Sequence, residues 1–469
     1  MKIEQIYTGC LAQGAYYITS NNEAVIIDPL REIDPYIQRA KIDNVKIKYI
    51  FETHFHADFV SGHVDLAKAT GAKIVFGPGA ETSFSSHSAE DGELFKVGDI
   101  SFKVLHTPGH TMESSCFLLI DENGKDNAVF TGDTLFIGDV GRPDLAQKAA
   151  SMTQEQLAGS LYHSLRSKLT TLADDVTVYP AHGAGSSCGK NMSKETVSTI
   201  GEQKKFNYAL RSDMTEQEFI KELTDGLMPP PGYFGMNVQM NKTGYENIEK
   251  VLKRGLNPLS VFAFEAAANE TGAVVLDTRN AQIFSQGFIP NSINIGVDGQ
   301  FAPWVGSMLP NILQPLLLVM EEGNEEEVIK RLARVGYDNV LGYLNGGFTE
   351  WLKEGKEIDK VNRISADVFA TEFTSNSIII DVRKPGEFEG EHIEGAINIP
   401  LDFINEEMAS FPGEKAFIIH CAGGYRSMIA ASVLKARGIE NFKEVAGGFG
   451  AISKTSVPKT KFVCASNKK

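Results

Sequence analysis

Residues 53–63 read THFHADFVSGH, and this stretch contains the first group of candidate metal ligands in the chain. His54 and His56 are two residues apart, and Asp58 follows two residues further on. Imidazole and carboxylate groups at this spacing are typical of a transition-metal site. Phe59 comes next, where a site built for two metals would need another histidine. The stretch therefore predicts a metal site and raises the question of whether it holds one metal or two.

Further candidate ligands lie at the ends of short β-rich runs in the first half of the chain. These runs are AVIIDP (24–29), IKYIFETH (47–54), KIVFGP (73–78), ISFKVLHTPGH (100–110), NAVFTGD (127–133) and VTVYPAHG (176–183). Loops at strand ends can carry functional groups on a rigid sheet. The candidate ligands are His54, His56, Asp58, His63, His110, Asp133 and His182. A lone histidine is more often structural, but four segments that each supply a ligand predict one metal centre.

The ordered ligand set resembles that of the metallo-β-lactamase superfamily, over roughly residues 1–245. This resemblance implies an αβ/βα sandwich whose metal site lies at the rim between two sheets. In the two-metal hydrolases of the superfamily, one metal is held at positions matching His54, His56, His110 and Asp133. The other is held at positions matching Asp58, the residue after it, Asp133 and His182. Phe59 has no lone pair to donate, which disfavours a binuclear zinc hydrolase.

A single metal suits the remaining ligands. His54, His110 and Asp133 make a two-histidine, one-carboxylate set, which leaves open positions on non-haem Fe(II). The superfamily branch with this pattern is the persulfide dioxygenases, and HADFVSGH (56–63) and FTGDTLFIGDVGRPD (130–144) look like that branch. The resemblance implies one Fe(II) per chain, which converts a low-molecular-weight thiol persulfide and O2 to sulfite and the free thiol. His56, Asp58 and His182 would then orient ligands or handle protons.

Two further residues are weaker candidates for the substrate side of this site. Arg142, in GDVGRPD, could contact an anion, although a structural ion pair is an equal alternative. Cys188 follows the His182 loop and could accept the outer sulfur of a persulfide. Its alternative is a small buried residue in a Gly/Ser-rich turn.

The second half of the chain repeats itself. VVLDTRNAQIFSQGFIPNSINI (274–295) aligns without gaps with IIIDVRKPGEFEGEHIEGAINI (378–399), and YLNGGFTEW (343–351) matches EVAGGFGAI (444–452). Each copy opens with a β-branched strand and closes with Gly-Gly-Phe, which indicates two α/β units. The Pro/Gly-rich segment MPPPGYFGMN (228–237), with the residues down to about 256, predicts a tail and linker. The predicted domains are residues 1–245, 246–358 and 359–469.

The second repeat contains a candidate nucleophile in AFIIHCAGGYRS (416–427). A strand delivers Cys421 into a glycine-containing loop whose backbone N–H groups, with a helix N-terminus behind them, form an anion nest. Such a field stabilises a thiolate, and Arg426 can donate hydrogen bonds to a bound anion. The loop between these two residues consists of Ala422, Gly423, Gly424 and Tyr425. Protein tyrosine phosphatases need five loop residues, and the four-residue loop resembles the rhodanese sulfurtransferases, over residues 362–455.

The first repeat lacks this chemistry. Met320 aligns with Cys421, and Glu325 falls where Arg426 would be. A thioether cannot carry a persulfide, and the glutamates of this loop would repel an anion. The first repeat therefore resembles a degenerate rhodanese domain with a spacer, docking, dimerising or silent allosteric role, and a homo-oligomer is compatible with the sequence.

Composition sets the wider limits. The formal net charge of −15 argues against a nucleic-acid partner, because such binding needs a positive surface. The N-terminus has no signal pattern, and no apolar run approaches the ~20 residues of a membrane span. The five cysteines are scattered and do not form a disulfide framework. A cytoplasmic location is the expectation.

The sequence thus favours an α/β multidomain enzyme of sulfide detoxification. A persulfide dioxygenase would supply sulfite, and a rhodanese with Cys421 would transfer sulfur to give thiosulfate. The first alternative is a binuclear zinc thioester hydrolase of the glyoxalase II kind with an appended rhodanese. The second is a sulfur-carrier or sensor protein whose metal domain does not turn over.

Overall fold

The computed structural model describes residues 1–147, 151–190 and 192–463. The chain divides into two compact units. The first comprises Met1–Ile248 with Leu332–Gly336, and the second comprises Glu249–Arg331 with the residues from Tyr337 on. The domain boundaries inferred from the sequence stay predictions.

Two six-stranded sheets build the first unit, with strand orders β1-β2-β3-β4-β5-β6 and β12-β11-β10-β9-β8-β7. The strands of the first sheet are β1 Lys2–Thr8, β2 Gln13–Ser20, β3 Glu23–Ile27, β4 Lys46–Phe51, β5 Lys73–Phe76 and β6 His87–Ser88. Those of the second are β7 Leu94–Val97, β8 Ile100–His106, β9 Ser115–Ile120, β10 Asp126–Gly132, β11 Thr177–Pro180 and β12 Ser198–Thr199. The β-rich runs predicted from the sequence are strands.

The two sheets pack face to face through aromatic side chains. Phe51 of β4 stacks on Phe117 of β9 with 4.5 Å between ring centroids, and both are fully buried. Helices flank the sheets: α1 Asp34–Ile42, α2 His63–Thr70, α3 Gln154–Ser164, α4 Ile200–Phe206, α5 Glu216–Thr224 and α6 Phe234–Thr243. Apolar clusters on the outer sheet faces include α1 and α2 for the first sheet and α3 and α5 for the second. This confirms the predicted αβ/βα sandwich.

The second unit contains the two repeats, and each builds a parallel five-stranded sheet of the same topology. The first has the order β13-β17-β16-β14-β15, with β13 Pro258–Leu259, β14 Val274–Asp277, β15 Ile293–Asn294, β16 Leu316–Val319 and β17 Val340–Leu344. The second has the order β18-β22-β21-β19-β20, with β18 Arg363–Ile364, β19 Ile379–Asp381, β20 Ile397–Asn398, β21 Phe417–His420 and β22 Phe442–Val445. The predicted duplication of an α/β unit is therefore confirmed.

Helices precede, connect or follow the strands of both repeats. They are α7 Ile248–Gly255, α8 Val261–Thr271, α9 Ala281–Gln286, α10 Phe301–Met308, α11 Glu325–Arg334 and α12 Gly347–Lys353 in the first repeat. In the second they are α13 Ala366–Glu372, α14 Pro385–Gly390, α15 Tyr425–Ala436 and α16 Gly448–Ile452. Helical crossovers are the usual way in which parallel strands are joined. No helix among the described residues is both long and apolar enough to cross a membrane.

The predicted tail and linker is wrong for much of its length. Residues 234–243 and 248–255 are helical, and Asn237 and Asn241 of α6 are fully buried. The prolines at 229–231 interrupt the chain only before α6 begins. The Pro/Gly-rich composition of residues 228–237 suggested an irregular segment, but the prolines all lie before α6 and so do not interrupt the helix.

Candidate functional site

Four loops of the first unit place the candidate ligands at one rim of the sandwich. His54 lies between β4 and α2, His110 follows β8, Asp133 directly follows β10, and His182 follows β11. One ligand atom each of His54, His110 and Asp133 lie within 4.8 Å of one another, and all three residues are buried. The three predicted iron ligands are therefore adjacent.

Hydrogen bonds fix the orientation of the His54 ring. Thr53 donates its hydroxyl to Asp28 Oδ2 at 2.9 Å, so its oxygen can accept the Nδ1–H of His54 at 3.0 Å. Burial, together with His56 and His110, holds the pKa of His54 well below its usual range. His54 is then a neutral imidazole whose Nε2 carries the lone pair, which is the form that binds a metal.

The other two rim histidines follow the same rule. His110 Nδ1 donates to the backbone carbonyl of Arg142 at 2.8 Å, and His182 Nδ1 donates to the carbonyl of Ala12 at 3.3 Å. Each ring therefore presents Nε2 to the centre of the site.

Asp133 is the third candidate ligand, and its buried carboxylate lacks a partner to balance its charge among the described residues. Its Oδ2 lies 3.4 Å from His110 Nε2 and 3.9 Å from His54 Nε2. In the described part of the chain, no hydrogen-bond donor satisfies either of its buried carboxylate oxygens. A buried carboxylate without a partner is costly. The donor set thus fits a divalent metal ion held by two imidazoles and one carboxylate.

A second group of possible ligands lies beside the first. His56, Asp58 and His182 offer ligand atoms within 4.8 Å of one another. His182 Nε2 lies 3.3 Å from Asp58 Oδ2 and 3.6 Å from Asp133 Oδ1. Phe59 is fully buried, with its ring 4.3 Å from that of His56. An apolar ring thus contacts this group where another ligand would be needed.

His56 is also engaged by two acidic residues. Its Nε2 lies 3.1 Å from Asp28 Oδ1 and 3.6 Å from Glu52 Oε2. Burial opposes a charged ring, but the Asp28 and Glu52 carboxylates raise the pKa of His56 to about 9. These contacts suit an orienting or proton-handling residue better than a neutral ligand.

The side chain of Arg142 is held in a structural ion pair. Its Nε and Nη2 each lie 2.7 Å from the Asp144 carboxylate, and its Nη1 donates to the carbonyl of Ser187. It reaches the metal centre through its backbone carbonyl, which orients His110. Contact of its guanidinium with an anionic substrate stays a prediction.

Cys188 lies close to the rim ligands. Its sulfur, a carboxylate oxygen of Asp133 and a ring nitrogen of His182 lie within 4.8 Å of one another. Burial and the Asp58 and Asp133 carboxylates raise the pKa of the Cys188 thiol well above its usual range. The structure thus places Cys188 beside Asp133 and His182, and its role as a sulfur acceptor stays a prediction.

In the second repeat, Cys421 follows β21 and is almost fully buried. The backbone N–H of Gly424 donates to its sulfur at 3.1 Å, and Ser427 Oγ lies 3.4 Å from it. Gly424 has φ +97° and is the N-cap residue of α15, so the helix N-terminus faces this loop. A Cβ on Gly448 would come within 2.3 Å of the Cys421 carbonyl oxygen, which explains the closing Gly-Gly-Phe.

Arg426 is bound to a residue that the sequence did not single out. Its guanidinium makes a bidentate ion pair with Glu387 of α14, at 2.6 and 2.8 Å. Behind the loop, Ser427 donates to the buried Glu444, which pairs with Arg363 at 2.8 Å. The loop is therefore surrounded by paired charges.

Comparisons with known proteins agree with this arrangement. Residues 8–182 match the metallo-beta-lactamase superfamily, and residues 263–354 and 365–455 match the rhodanese-like domain. The persulfide dioxygenase ETHE1 of Homo sapiens is 31% identical over 229 residues, covering 47% of this chain and 79% of that protein. A probable hydroxyacylglutathione hydrolase of Schizosaccharomyces pombe is 30% identical over 231 residues, covering 44% of this chain and 84% of that protein.

A solved structure extends the match. A metallo-beta-lactamase from Staphylococcus aureus is 32% identical, with a TM-score of 0.64, and the match covers 74% of this chain and 98% of that one. This chain belongs to the metallo-beta-lactamase superfamily. Its superfamily domain is followed by two rhodanese-like domains.

The first rhodanese-like domain fills its loop differently. Gly323 corresponds to Gly424 and has φ +93°, close to the +97° of its counterpart. Its backbone N–H donates to the carboxylate of Glu325, at 3.1 and 3.0 Å to the two oxygens. The donor that contacts sulfur in one domain is thus occupied by an acid in the other.

Several residues that support the superfamily site were missed in the sequence. Asp28 and Glu52 bracket His56, and Glu52 also contacts His63, with its Oε1 3.6 Å from Nδ1. Asn241 Nδ2 donates to the carbonyls of His56 and Phe59 at 2.8 and 2.9 Å. Asp28 had a signal, because it follows a strand as Asp133 does, but Asn241 lay in the segment interpreted as a tail.

Proposed function

We propose that the first domain is a mononuclear Fe(II) dioxygenase for a low-molecular-weight thiol persulfide, and that the second rhodanese-like domain is a sulfurtransferase that yields thiosulfate. The observation that carries the first part is the adjacent set His54, His110 and Asp133, with two unsatisfied carboxylate oxygens. The similarity to ETHE1 supports the same substrate class.

Each residue has a defined task in this proposal. His54 and His110 present Nε2, because Thr53 and the Arg142 carbonyl hold their Nδ1–H groups. Fe(II) in such a set supplies the redox chemistry of non-haem oxygenases. His182 faces the carboxylate of Asp58 and can move a proton there. The overall reaction is RSSH + O2 + H2O → RSH + SO3²⁻ + 2H⁺.

Sulfur transfer takes place at Cys421. Its thiolate attacks the outer sulfur of a donor, the donor S–S bond breaks, and the donor leaves as a thiolate. Sulfite then takes the outer sulfur, which forms thiosulfate and returns Cys421 to the thiolate. The Gly424 N–H, 3.1 Å from the sulfur, stabilises this anion at both stages. Tethering the two domains on one chain would raise the effective concentration of sulfite at Cys421.

One observation favours a second candidate, a binuclear zinc thioester hydrolase. His56, Asp58 and His182 form a second group of possible ligands, and hydroxyacylglutathione hydrolases are as similar to this chain as ETHE1 is. Phe59 argues against it, because the second group then lacks a ligand.

The test is the metal content and reaction of protein purified without oxygen or added metal. We expect about one iron per chain, oxygen uptake with the persulfides of glutathione, coenzyme A or cysteine, and one sulfite formed for each oxygen consumed. Asp133→Asn should lose both iron and oxygen uptake, whereas Asp213→Asn, at an exposed position outside the ligand set, should keep both.

The competing result is equally clear. Two zinc ions per chain with hydrolysis of S-lactoylglutathione in the absence of oxygen would replace the dioxygenase by the hydrolase. A persulfide on Cys421 without oxygen uptake, once iron has been reconstituted, would indicate a sulfur carrier.

A further inference from the structure

Tyr425, the last residue of the sulfur-carrying loop before Arg426, is held by the first rhodanese-like domain. Its hydroxyl donates to the backbone carbonyl of Gly296 at 2.7 Å. A Cβ built on Gly299 would lie 2.5 Å from two ring carbons of Tyr425, and one on Gly296 would lie 3.4 Å from the ring. We call Gly296 and Gly299 the glycine socket.

The fold itself does not require glycine at either position of the glycine socket. Continuing the gap-free alignment of 274–295 with 378–399 by four residues places Pro400 and Phe403 at the positions of Gly296 and Gly299. The backbone hydrogen bond from residue 299 to residue 296 is matched by that from residue 403 to residue 400. Neither glycine has a positive φ, so the backbone conformation is open to other residues. What excludes a side chain at Gly299 is the ring of Tyr425, which is a contact between the two domains.

A second contact lies on the same face of α15. The backbone N–H of Asn294, on the edge strand β15, donates to Ser432 Oγ at 2.9 Å, and both residues are buried. Ser432 is seven residues after Tyr425, which is two helical turns along one face. Helix α15 is therefore fixed at its first turn and again two turns later by the first domain.

We propose that the first rhodanese-like domain positions the sulfur-carrying loop, with Tyr425 as the positioning residue and the glycine socket as its receptor. Helix α15 starts at Tyr425, and Gly424 just before it donates the N–H to the Cys421 sulfur. Fixing the ring fixes that donor and the helix N-terminus relative to the sulfur. The inference rests on the proposed sulfurtransferase role of Cys421.

The test uses the full chain with thiosulfate as sulfur donor and cyanide as acceptor. Gly299→Ala adds one methyl group against the ring and should lower kcat for sulfur transfer about tenfold, because small displacements of reacting groups are costly. Gly413→Ala is the matched control, since a Cβ there meets nothing within 4 Å. It should leave kcat unchanged, and oxygen uptake by the first domain should be equal in both variants.

A double-mutant cycle separates positioning from general destabilisation. Tyr425→Phe removes only the hydroxyl that donates to Gly296 and should lower kcat about threefold. In a Tyr425→Leu background the ring is gone, so adding Gly299→Ala should cause no further loss. Wild-type kcat in both Gly299→Ala and Tyr425→Phe would overturn the proposal, as would additive losses in the cycle.

A second readout keeps this test independent of the proposed function. The rate of alkylation of Cys421 by iodoacetamide is followed by mass spectrometry of its peptide. Should the wild-type chain transfer no sulfur, the sulfurtransferase assignment fails, while a changed alkylation rate in Gly299→Ala but not in Gly413→Ala still supports the positioning. An unchanged rate in Gly299→Ala would remove the positioning as well.

Discussion

The two rhodanese-like domains share one loop backbone but use it for different acceptors. The N–H of Gly424 contacts the sulfur of Cys421, whereas that of Gly323 binds the carboxylate of Glu325. The φ angles of the two glycines differ by only a few degrees, +97° against +93°. The backbone therefore supplies the same anion-binding donor in both domains, and the side chains decide whether it serves a reaction or an internal contact.

A second exchange accompanies the first. Arg426 is paired with Glu387 in the second domain, while Glu325 and Ile283 stand at the aligned positions of the first. Replacing only one member would leave a partly buried charge without its partner, which is costly. Both members of the pair differ in the first domain, which therefore keeps its fold without this ion pair.

The largest expected effect comes from Cys421→Ser. Sulfur transfer should fall by more than about 1000-fold, as for the loss of a nucleophile, because an alcohol does not form a persulfide. Oxygen uptake should remain at the wild-type rate. Met320→Leu, at the aligned position of the first domain, conserves side-chain volume and should change neither rate. Thiosulfate formation measures the first rate, and an oxygen electrode measures the second. Equal loss of both activities in Cys421→Ser would contradict the division of labour between the domains.

Arg426→Glu places a glutamate in the Cys421 loop at the position that Glu325 occupies in the first domain. The carboxylate should compete for the Gly424 N–H and repel an anionic donor, which should lower kcat/KM for thiosulfate about 100-fold. Arg437→Glu makes the same charge change at the other end of α15 and serves as the control. If the two variants lose activity equally, net charge rather than the loop contact is responsible.

Much of this comparison could be predicted from the sequence, and the reasons are local. The candidate metal ligands and Cys421 stand at strand ends in short motifs, so the sequence predicted a metal centre and the four-residue loop. The α/β class followed from the alternation of β-rich and helical stretches, and the αβ/βα sandwich from the family resemblance. Partners contributed by distant segments had no such signal. Glu387 is one acid among many, and its pairing with Arg426 depends on how α14 packs beside α15.

The glycine socket and helix α6 also show that contacts between distant segments could not be predicted from the sequence. Gly296 and Gly299 look like ordinary turn residues in the sequence, and only the nearby ring of Tyr425 explains why these positions lack a side chain. Asn241 lies in a segment whose prolines suggested a linker, yet its amide supports the backbone next to His56. Contacts between residues far apart in sequence require the folded chain.

Glu387→Gln should have a smaller effect that sharpens the comparison. Without the carboxylate, the positive charge of the Arg426 guanidinium is no longer neutralised by Glu387 and can attract an anion, so KM for thiosulfate should fall about threefold. The steady-state rate at varied thiosulfate measures this, and Glu389→Gln on the same helix is the control. A higher KM would mean that Glu387 is needed to orient Arg426.

The smallest effect is expected for Met320→Cys made in the Cys421→Ser chain. The introduced thiol should restore no sulfur transfer, because Glu325 still occupies the Gly323 N–H and no arginine is present. Recovery of thiosulfate formation would show that the acid does not silence this loop.

The hydrogen bond from the Asn294 N–H to Ser432 also bears on whether either rhodanese-like domain can be expressed without the other. It covers the open edge of β15, and an uncovered edge strand invites pairing with other chains. Deleting the first rhodanese-like domain would remove the groups that contact α15 at Tyr425 and Ser432. A chain truncated to the first rhodanese-like domain should expose the edge of β15 and therefore be prone to aggregation.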